Sequence, residues 1–225
     1  MDRFIAYFQP IADLRSGKVL GYEALARRVG ADGEVELPGT WLTELLADRE
    51  QARQLGATMI GEAVAAVRLL PEDVYVSINF EIADMFSGNF IDVRREYDLD
   101  ALAHRLVVEV AERDALTPQA VEWAAEARDL GIRIALDDVG AGASRMAALV
   151  DLQPSYLKLD ASMTKRLEEP GVSRLVRFMA AGARTLGADL IVEGVEEAAI
   201  ALAARKAGAI AAQGWHFGRP GPLPA

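Results

Sequence analysis

Residues 117–138 read TPQAVEWAAEARDLGIRIALDD, and the order of the parts decides the fold. Thr117 can cap a helix whose first turn holds Pro118, and Gly131 can end that helix. Between them Val121, Ala124, Ala125 and Leu130 fall roughly on one face. The chain then turns apolar over Ile132–Leu136, a short strand-like run, and meets Asp137 and Asp138. A buried strand does not end in unpaired carboxylates unless something at that end needs them.

The same cassette recurs downstream. A helix around Val172–Leu186 stops at Gly187, and the run Leu190–Val192 ends in Glu193. A shorter helix, Glu197–Ala207, stops at Gly208, and Ala209–Ala212 runs into Gln213. Tyr156–Leu159 makes another strand, with Lys158 and Asp160 near its end. Upstream, Val74–Ile78 runs into Asn79, Leu106–Val108 into Glu109 and Val19–Tyr22 into Glu23. Helix, glycine, strand and polar residue repeated this way imply parallel strands with right-handed crossovers. Strands that deliver acids to one shared end describe the catalytic rim of a β/α barrel, and a rim of acids describes a divalent-cation site.

The first half is less regular. Phe4–Gln9 and Val19–Leu25 flank the turn-like stretch Leu14–Lys18 and are close enough to pair as a hairpin, so the barrel is expected to begin with one antiparallel strand. Residues 28–40 read as loop. A helix follows from about Glu44 to Leu70, with Gly56 as the point where it would break. The tail, residues 218–225, reads as irregular.

Composition narrows the chemistry. The 225 residues suit a single α/β barrel, and a hydrophobic share of 52% supplies its core. No apolar run approaches membrane-spanning length, and no signal-like region precedes Phe4–Phe8, so the chain is expected to be soluble and cytoplasmic, with no membrane partner. With Cys 0 and His 2, thiolate sites, disulfides and Cys nucleophiles are excluded and a multi-histidine zinc site nearly so. Any metal must be held by oxygen, which points to magnesium, manganese or calcium. The net charge of −10 argues against long nucleic-acid tracts. It leaves a small phosphate ligand open, because bound cations invert the local field. His104 and His216 have no partner pattern and receive no role. Trp41, Trp123 and Trp215 read as core or interface, with Trp215 near the rim. Glu196 and Glu197 are expected to begin a helix, where negative charge suits the dipole.

Taken together, the blocks resemble a known family. Phe8-Gln9-Pro10-Ile11 followed by Gly21-Tyr22-Glu23-Ala24-Leu25 is similar to the opening of the EAL domain, named for its Glu-Ala-Leu triplet. Asn79 after Ser77-Ile78, Glu109-Val110-Ala111-Glu112, Asp137-Asp138-Val139-Gly140-Ala141-Gly142, Tyr156-Leu157-Lys158-Leu159-Asp160, Glu193-Gly194-Val195-Glu196 and Gln213-Gly214-Trp215 follow in the family's order. The resemblance covers nearly the whole chain, residues 1–225 as one EAL domain. It implies a modified TIM (β/α)8 barrel with one antiparallel strand near the N-terminus. It also implies hydrolysis of cyclic di-GMP to linear pGpG with two magnesium or manganese ions. Glu23, Asn79, Glu109 and Asp137 would hold one metal, and Asp138 the second, with Glu109 or Asp137 bridging. Glu193 would position or deprotonate the attacking water. Lys158 would orient that water or the phosphate, with Asp160 and Gln213 beside it. Arg27 would contact a ligand phosphate, Gln9 would lie near a guanine, and Glu112 would anchor the loop after the Asp pair.

The residue types suit this chemistry on their own. A phosphodiester is anionic and repels hydroxide; two cations about 3.5–4 Å apart bind its oxygens, acidify a water and stabilise the leaving oxygen. A lysine adds positive charge where the pentavalent state accumulates negative charge.

Some positions depart from the family pattern. Val139, Ala141, Ala143 and Arg145 replace Phe, Thr, Tyr and Ser in the loop after the Asp pair, Ala111 replaces Thr, and Phe80-Glu81 stands where Leu-Ser is usual. Residues 28–43 lack the Pro-x-x-Phe-Ile-Pro segment. These departures set the alternative: a catalytically inactive EAL receptor that binds cyclic di-GMP or a protein partner without turnover. The complete ligand set favours the enzyme. A homodimer is expected through the helix after the Asp pair, where Met146, Ala147, Ala148 and Leu149 are small or apolar. With no sensor or cyclase domain in these residues, regulation is expected from expression, dimerisation or a separate partner.

Overall fold

The computed structural model describes residues 3–79, 97, 99–111, 115, 117–140 and 148–223. Nine strands lie among them: β1 (Arg3–Asp13), β2 (Val19–Val29), β3 (Val35–Glu36), β4 (Tyr75–Asn79), β5 (Leu106–Ala111), β6 (Arg133–Val139), β7 (Tyr156–Leu159), β8 (Asp189–Val192) and β9 (Ala211–Gln213). Their order is β1-β9-β8-β7-β6-β5-β4-β2, closed by pairing of β1 with β2, while β3 hangs on the outer part of β2. Strand β1 runs antiparallel to both neighbours, and the pairs from β2–β4 round to β8–β9 are parallel. The result is a closed eight-stranded mixed barrel with one reversed strand, as the sequence predicts.

Strand periodicity sorts the residues between two cores. Alternate side chains face opposite sides of a sheet. Ile11, Tyr75, Val107, Ala135, Ile191 and Ala211 form a small cluster inside the barrel. Their neighbours Val76, Val108, Ile134, Leu190 and Ala212 join the larger core under the helices. Strands buried on both faces read as continuous apolar runs, which is why these segments show no polar alternation. Two residues beyond Tyr75, Val107, Ala135, Ile191 and Ala211 the same face carries Ser77, Glu109, Asp137, Glu193 and Gln213, and on the reversed strand Gln9 lies two residues before Ile11. The polar groups are therefore stacked by parity on top of an apolar plug.

Below them, the Tyr75 and Tyr156 rings stack at 5.5 Å. The Arg133 guanidinium lies over Tyr75 at 4.8 Å and donates to the Tyr156 hydroxyl at 2.5 Å. Gly21 faces this stack; a Cβ there would sit 2.5 Å from the Tyr75 ring.

The outer helices are α1 (Thr40–Leu46), α2 (Arg49–Leu69), α3 (Leu99–Leu102), α4 (Pro118–Asp129), α5 (Ala148–Leu152), α6 (Ala161–Thr164), α7 (Pro170–Thr185) and α8 (Ala198–Ala207). Thr117 Oγ1 caps α4 by accepting from the Ala120 N–H at 3.2 Å. Helices α4, α7 and α8 give way to left-handed glycines, Gly131, Gly187 and Gly208. No described helix is long and apolar enough to cross a membrane.

Three expectations are corrected. The long helix breaks at Asp48 and not at Gly56, because Asp48 Oδ1 accepts from the Glu50 and Gln51 N–H groups and starts α2 afresh. Gly56 is buried inside α2. The first hairpin is longer than expected, reaching Asp13 and Val29. The stretch read as loop contains β3, where Arg28 and Glu36 are paired in register and bridged at 2.6 Å.

Candidate metal centre

Lys158 stands at the centre of the rim. It is the third residue of β7, on the inward parity, and is 1% exposed. Its Nζ lies 2.5 Å from Glu109 Oε2, 2.6 Å from Glu193 Oε1, 3.3 Å from Asp137 Oδ1 and 3.5 Å from Glu23 Oε2. These acids come from β5, the end of β8, β6 and β2, so four separate strands converge on one ammonium. Register explains the convergence: Asn79 pairs with Glu109, and Ala111 with Asp137, one step up the barrel.

A second tier of amides fixes Glu23. Gln213 Nε2 donates to Glu23 Oε2 at 2.6 Å and to Gln9 Oε1 at 3.0 Å. Asn79 Nδ2 donates to Glu23 Oε1 at 3.4 Å, which leaves the side-chain carbonyl oxygen of Asn79 as its acceptor atom. Gln9 is tied down in turn by donating to the Gly218 carbonyl at 3.2 Å.

Asp137 and Asp138 adjoin in sequence and would face opposite sides of a regular strand. Strand β6 does not stay regular: its pairing with β7 shifts register between Leu136 and Val139, and Asp138 takes the left-handed region with φ +58°. A bulge re-aims side chains at a sheet end. Asp tolerates this conformation better than most residues, at a cost of about 1–2 kcal/mol. Carboxylate oxygens of Asp137, Asp138 and Glu193 consequently come within 4.8 Å of one another. Beside them opens a cavity of about 340 Å³, lined by Gln9, Glu23, Asp137, Glu193, Glu196 and Trp215 among others.

The charge balance is uneven. One ammonium faces four carboxylates within 4 Å. Burial, with Glu23 beside it, pushes Glu109 well above the usual carboxylate range. Burial likewise raises Asp137 against the pull of Lys158, with Glu23 and Asp138 adding to the rise. It raises Glu193 to about 8, again against Lys158. Burial draws Lys158 down, but Glu109, Glu193, Glu23 and Asp137 outweigh it and hold the ammonium well above its usual value. The cluster therefore retains protons or recruits cations.

The donor set fits a hard divalent cation. It consists of carboxylate and amide oxygens, the ligands such ions prefer. Gln213 Oε1 is buried and accepts no hydrogen bond, and buried polar atoms without partners are uncommon unless a site uses them.

The EAL domain family model matches residues 1–220. The chain belongs to the EAL family. It is 30% identical over 98% of its length to the signaling protein YkoW of Bacillus subtilis (strain 168), of which it spans 28%. It is 30% identical over 85% of its length to the probable cyclic di-GMP phosphodiesterase PdeG of Escherichia coli (strain K12), of which it spans 39%. The structure of the PaMucR phosphodiesterase in complex with c-di-GMP is similar across 97% of this chain and 92% of that one, with a TM-score of 0.85 at 26% identity. The chain thus spans less than half the length of these two curated relatives.

Within the EAL barrel, Glu23, Asn79, Glu109, Asp137, Lys158, Glu193, Gln213 and Gln9 are linked by the contacts above, and Asp138 joins through the bulge. Two other residues named from sequence have partners outside this network. Asp160 Oδ1 accepts from the Ser162 N–H at 2.9 Å and caps α6. Arg27 is buried, donates to the Ala26 carbonyl at 2.7 Å, lies over the Tyr7 ring at 5.4 Å and is not among the cavity-lining residues. Glu112, Phe80-Glu81 and residues 141–147 lie outside the described residues. Leu149, expected at a dimer surface, is buried in the core at 4% exposure. Sequence reasoning missed Glu196, which lines the cavity because α8 begins only at Ala198. The available signal was Gly194, whose left-handed turn (φ +64°) folds the chain back before the helix.

Proposed function

We propose that residues 1–225 form one EAL domain that hydrolyses cyclic di-GMP to linear pGpG with two divalent cations, magnesium or manganese. The observation that carries this reading is the convergence of Glu23, Glu109, Asp137 and Glu193 on Lys158 at one end of the barrel. Glu23, Asn79, Glu109 and Asp137 would hold one cation, and Asp138 the other, with Glu109 or Asp137 shared. Bound there, the cations neutralise the phosphodiester and acidify a water.

The chain's own residues supply the rest. Lys158 ties the buried Glu109 to Glu193 at the cavity, so the two acids keep a fixed spacing. Glu193 accepts the proton of the attacking water. The water oxygen bonds to phosphorus, the bond to the ribose 3′ oxygen breaks, and that oxygen takes a proton from solvent, leaving a 5′-phosphorylated linear dinucleotide. Gln213 and Asn79 hold Glu23 in place, and Gln9 borders the ligand space.

The test is incubation of the purified protein with cyclic di-GMP and Mg2+ or Mn2+, with nucleotides separated by chromatography. Appearance of pGpG, lost by at least a hundredfold in Glu23→Ala at an unchanged fold, is the expected result. Intact cyclic di-GMP in both proteins overturns the hydrolase and leaves the receptor, which binding measurements with and without metal then assess.

A further inference from the structure

At the mouth of the cavity stands an aromatic residue that the hydrolytic chemistry does not use. Trp41 and Trp123 are buried, at 7% and 4% exposure, whereas Trp215 is 52% exposed and lines the cavity. The Arg219 guanidinium lies over its ring, 3.9 Å from the centroid. No ion pair joins Arg219 to a described carboxylate, so its charge is left for the indole and for whatever enters beside it.

The segment carrying the pair is held at both ends. The Val195 N–H donates to Gln213 O and the His216 N–H to Val195 O, each at 3.0 Å. Gly214 is pressed so close to Val195 that a Cβ would fall 2.1 Å from its carbonyl oxygen. Gln9 Nε2 grips Gly218 O, and Gly221 bridges to Phe8. An exposed indole on a pinned backbone, backed by a guanidinium, is a preorganised flat surface. Flat aromatic surfaces beside cationic grooves are where nucleobases stack, since every base offers a π face.

We propose that Trp215 and Arg219 form a stacking platform for one purine of the bound dinucleotide, setting affinity for the nucleoside part of the substrate. This rests on the nucleotide reading of the same site. Trp215 is thus a specificity-determining residue, separate from the carboxylates that act on the phosphodiester.

The test compares the parent protein with Trp215→Ala and Trp215→Phe. Cyclic di-GMP is mixed with each in Mg2+, and indole fluorescence is read by stopped flow before turnover. Because the other two tryptophans are buried, the parent should be quenched and both variants should not. Calorimetric Kd should weaken about tenfold or more in Trp215→Ala, the scale of one lost base–aromatic stack, and by less than about threefold in Trp215→Phe, which keeps a ring. The ratio of kcat/KM for cyclic di-GMP to that for bis(p-nitrophenyl) phosphate, which carries no purine, should fall in Trp215→Ala. Absence of quenching in the parent, an unchanged Kd in Trp215→Ala, or an equal loss on both substrates overturns the platform. The two readings separate cleanly. Quenching that depends on Trp215 without turnover keeps the platform and removes the hydrolase. Turnover with normal affinity in Trp215→Ala keeps the hydrolase and removes the platform.

Discussion

The single most consequential residue is Lys158. Its ammonium sits 2.5 Å from Glu109 and 2.6 Å from Glu193 in a fully buried position. Removing one partner of a buried ion pair leaves uncompensated charge and costs about 3–5 kcal/mol, more than the pair itself contributes. Lys158→Met is therefore expected to lower the urea midpoint markedly at pH 7, and less at pH 5, where Glu109, Asp137 and Glu193, all raised by burial, hold more protons. An equal midpoint for the two proteins at pH 7 would show that the ammonium does not compensate those acids. From residue patterning Lys158 was legible as a lysine near a strand end, and the family resemblance placed it beside the water or phosphate; parity in a seven-parallel-strand barrel turns it inward. Asp160, two residues on, carries the same sequence signal but caps a short helix. A polar residue just past a strand serves either purpose, and only the backbone turn that follows decides which.

At the scale of elements, the repeated cassette was readable because each helix stop and each strand is a local signal. Glycine at the end of α4 and Thr117 with Pro118 at its start are determined within a few residues. The bulge in β6 was not readable: it brings Asp137 and Asp138 to one rim beside Glu193, fifty-odd residues away, and nothing local in the sequence marks it. Nor was the packing that Gly21 permits. Its missing Cβ lets Tyr75 lie against β2 and stack on Tyr156, and that contact crosses the barrel. Gly21→Ala forces the ring or the strand to move, an overpacking cost of about 1–3 kcal/mol. Because Glu23 is two residues along the same face, the displacement should also reach the metal centre. The expected outcome is a lower denaturant midpoint with an unchanged m-value, together with weaker Mg2+ binding. The same Mg2+ affinity at a lowered midpoint would confine the strain to the plug.

Across the whole molecule, closure of the barrel brings negative charge from β2, β5, β6 and β8 together, so global stability depends on how that charge is compensated. The relevant groups share one sign. Burial raises Glu109, Asp137 and Glu193, the last from 4.5 to about 8. A carboxyl whose folded pKa lies above its unfolded value binds more protons when folded. Its contribution to stability is complete below the unfolded value and declines as pH rises through the folded one. Lys158, held well above the usual lysine value, contributes throughout this window and fades only in more alkaline solution. In EDTA, the thermal midpoint should therefore fall between about pH 5 and pH 9. Divalent cation reverses the trend, because it needs the same oxygens deprotonated. Magnesium at about a hundred times its Kd adds about 2.7 kcal/mol to the folded state, and the increment should be larger at pH 8 than at pH 6. Potassium chloride at equal ionic strength should not reproduce it, since screening acts weakly on buried charges. A midpoint that rises with pH in EDTA would show that burial does not hold those carboxyls protonated, and a magnesium increment that survives Asp137→Ala unchanged would place the cation somewhere other than the ring of acids around Lys158.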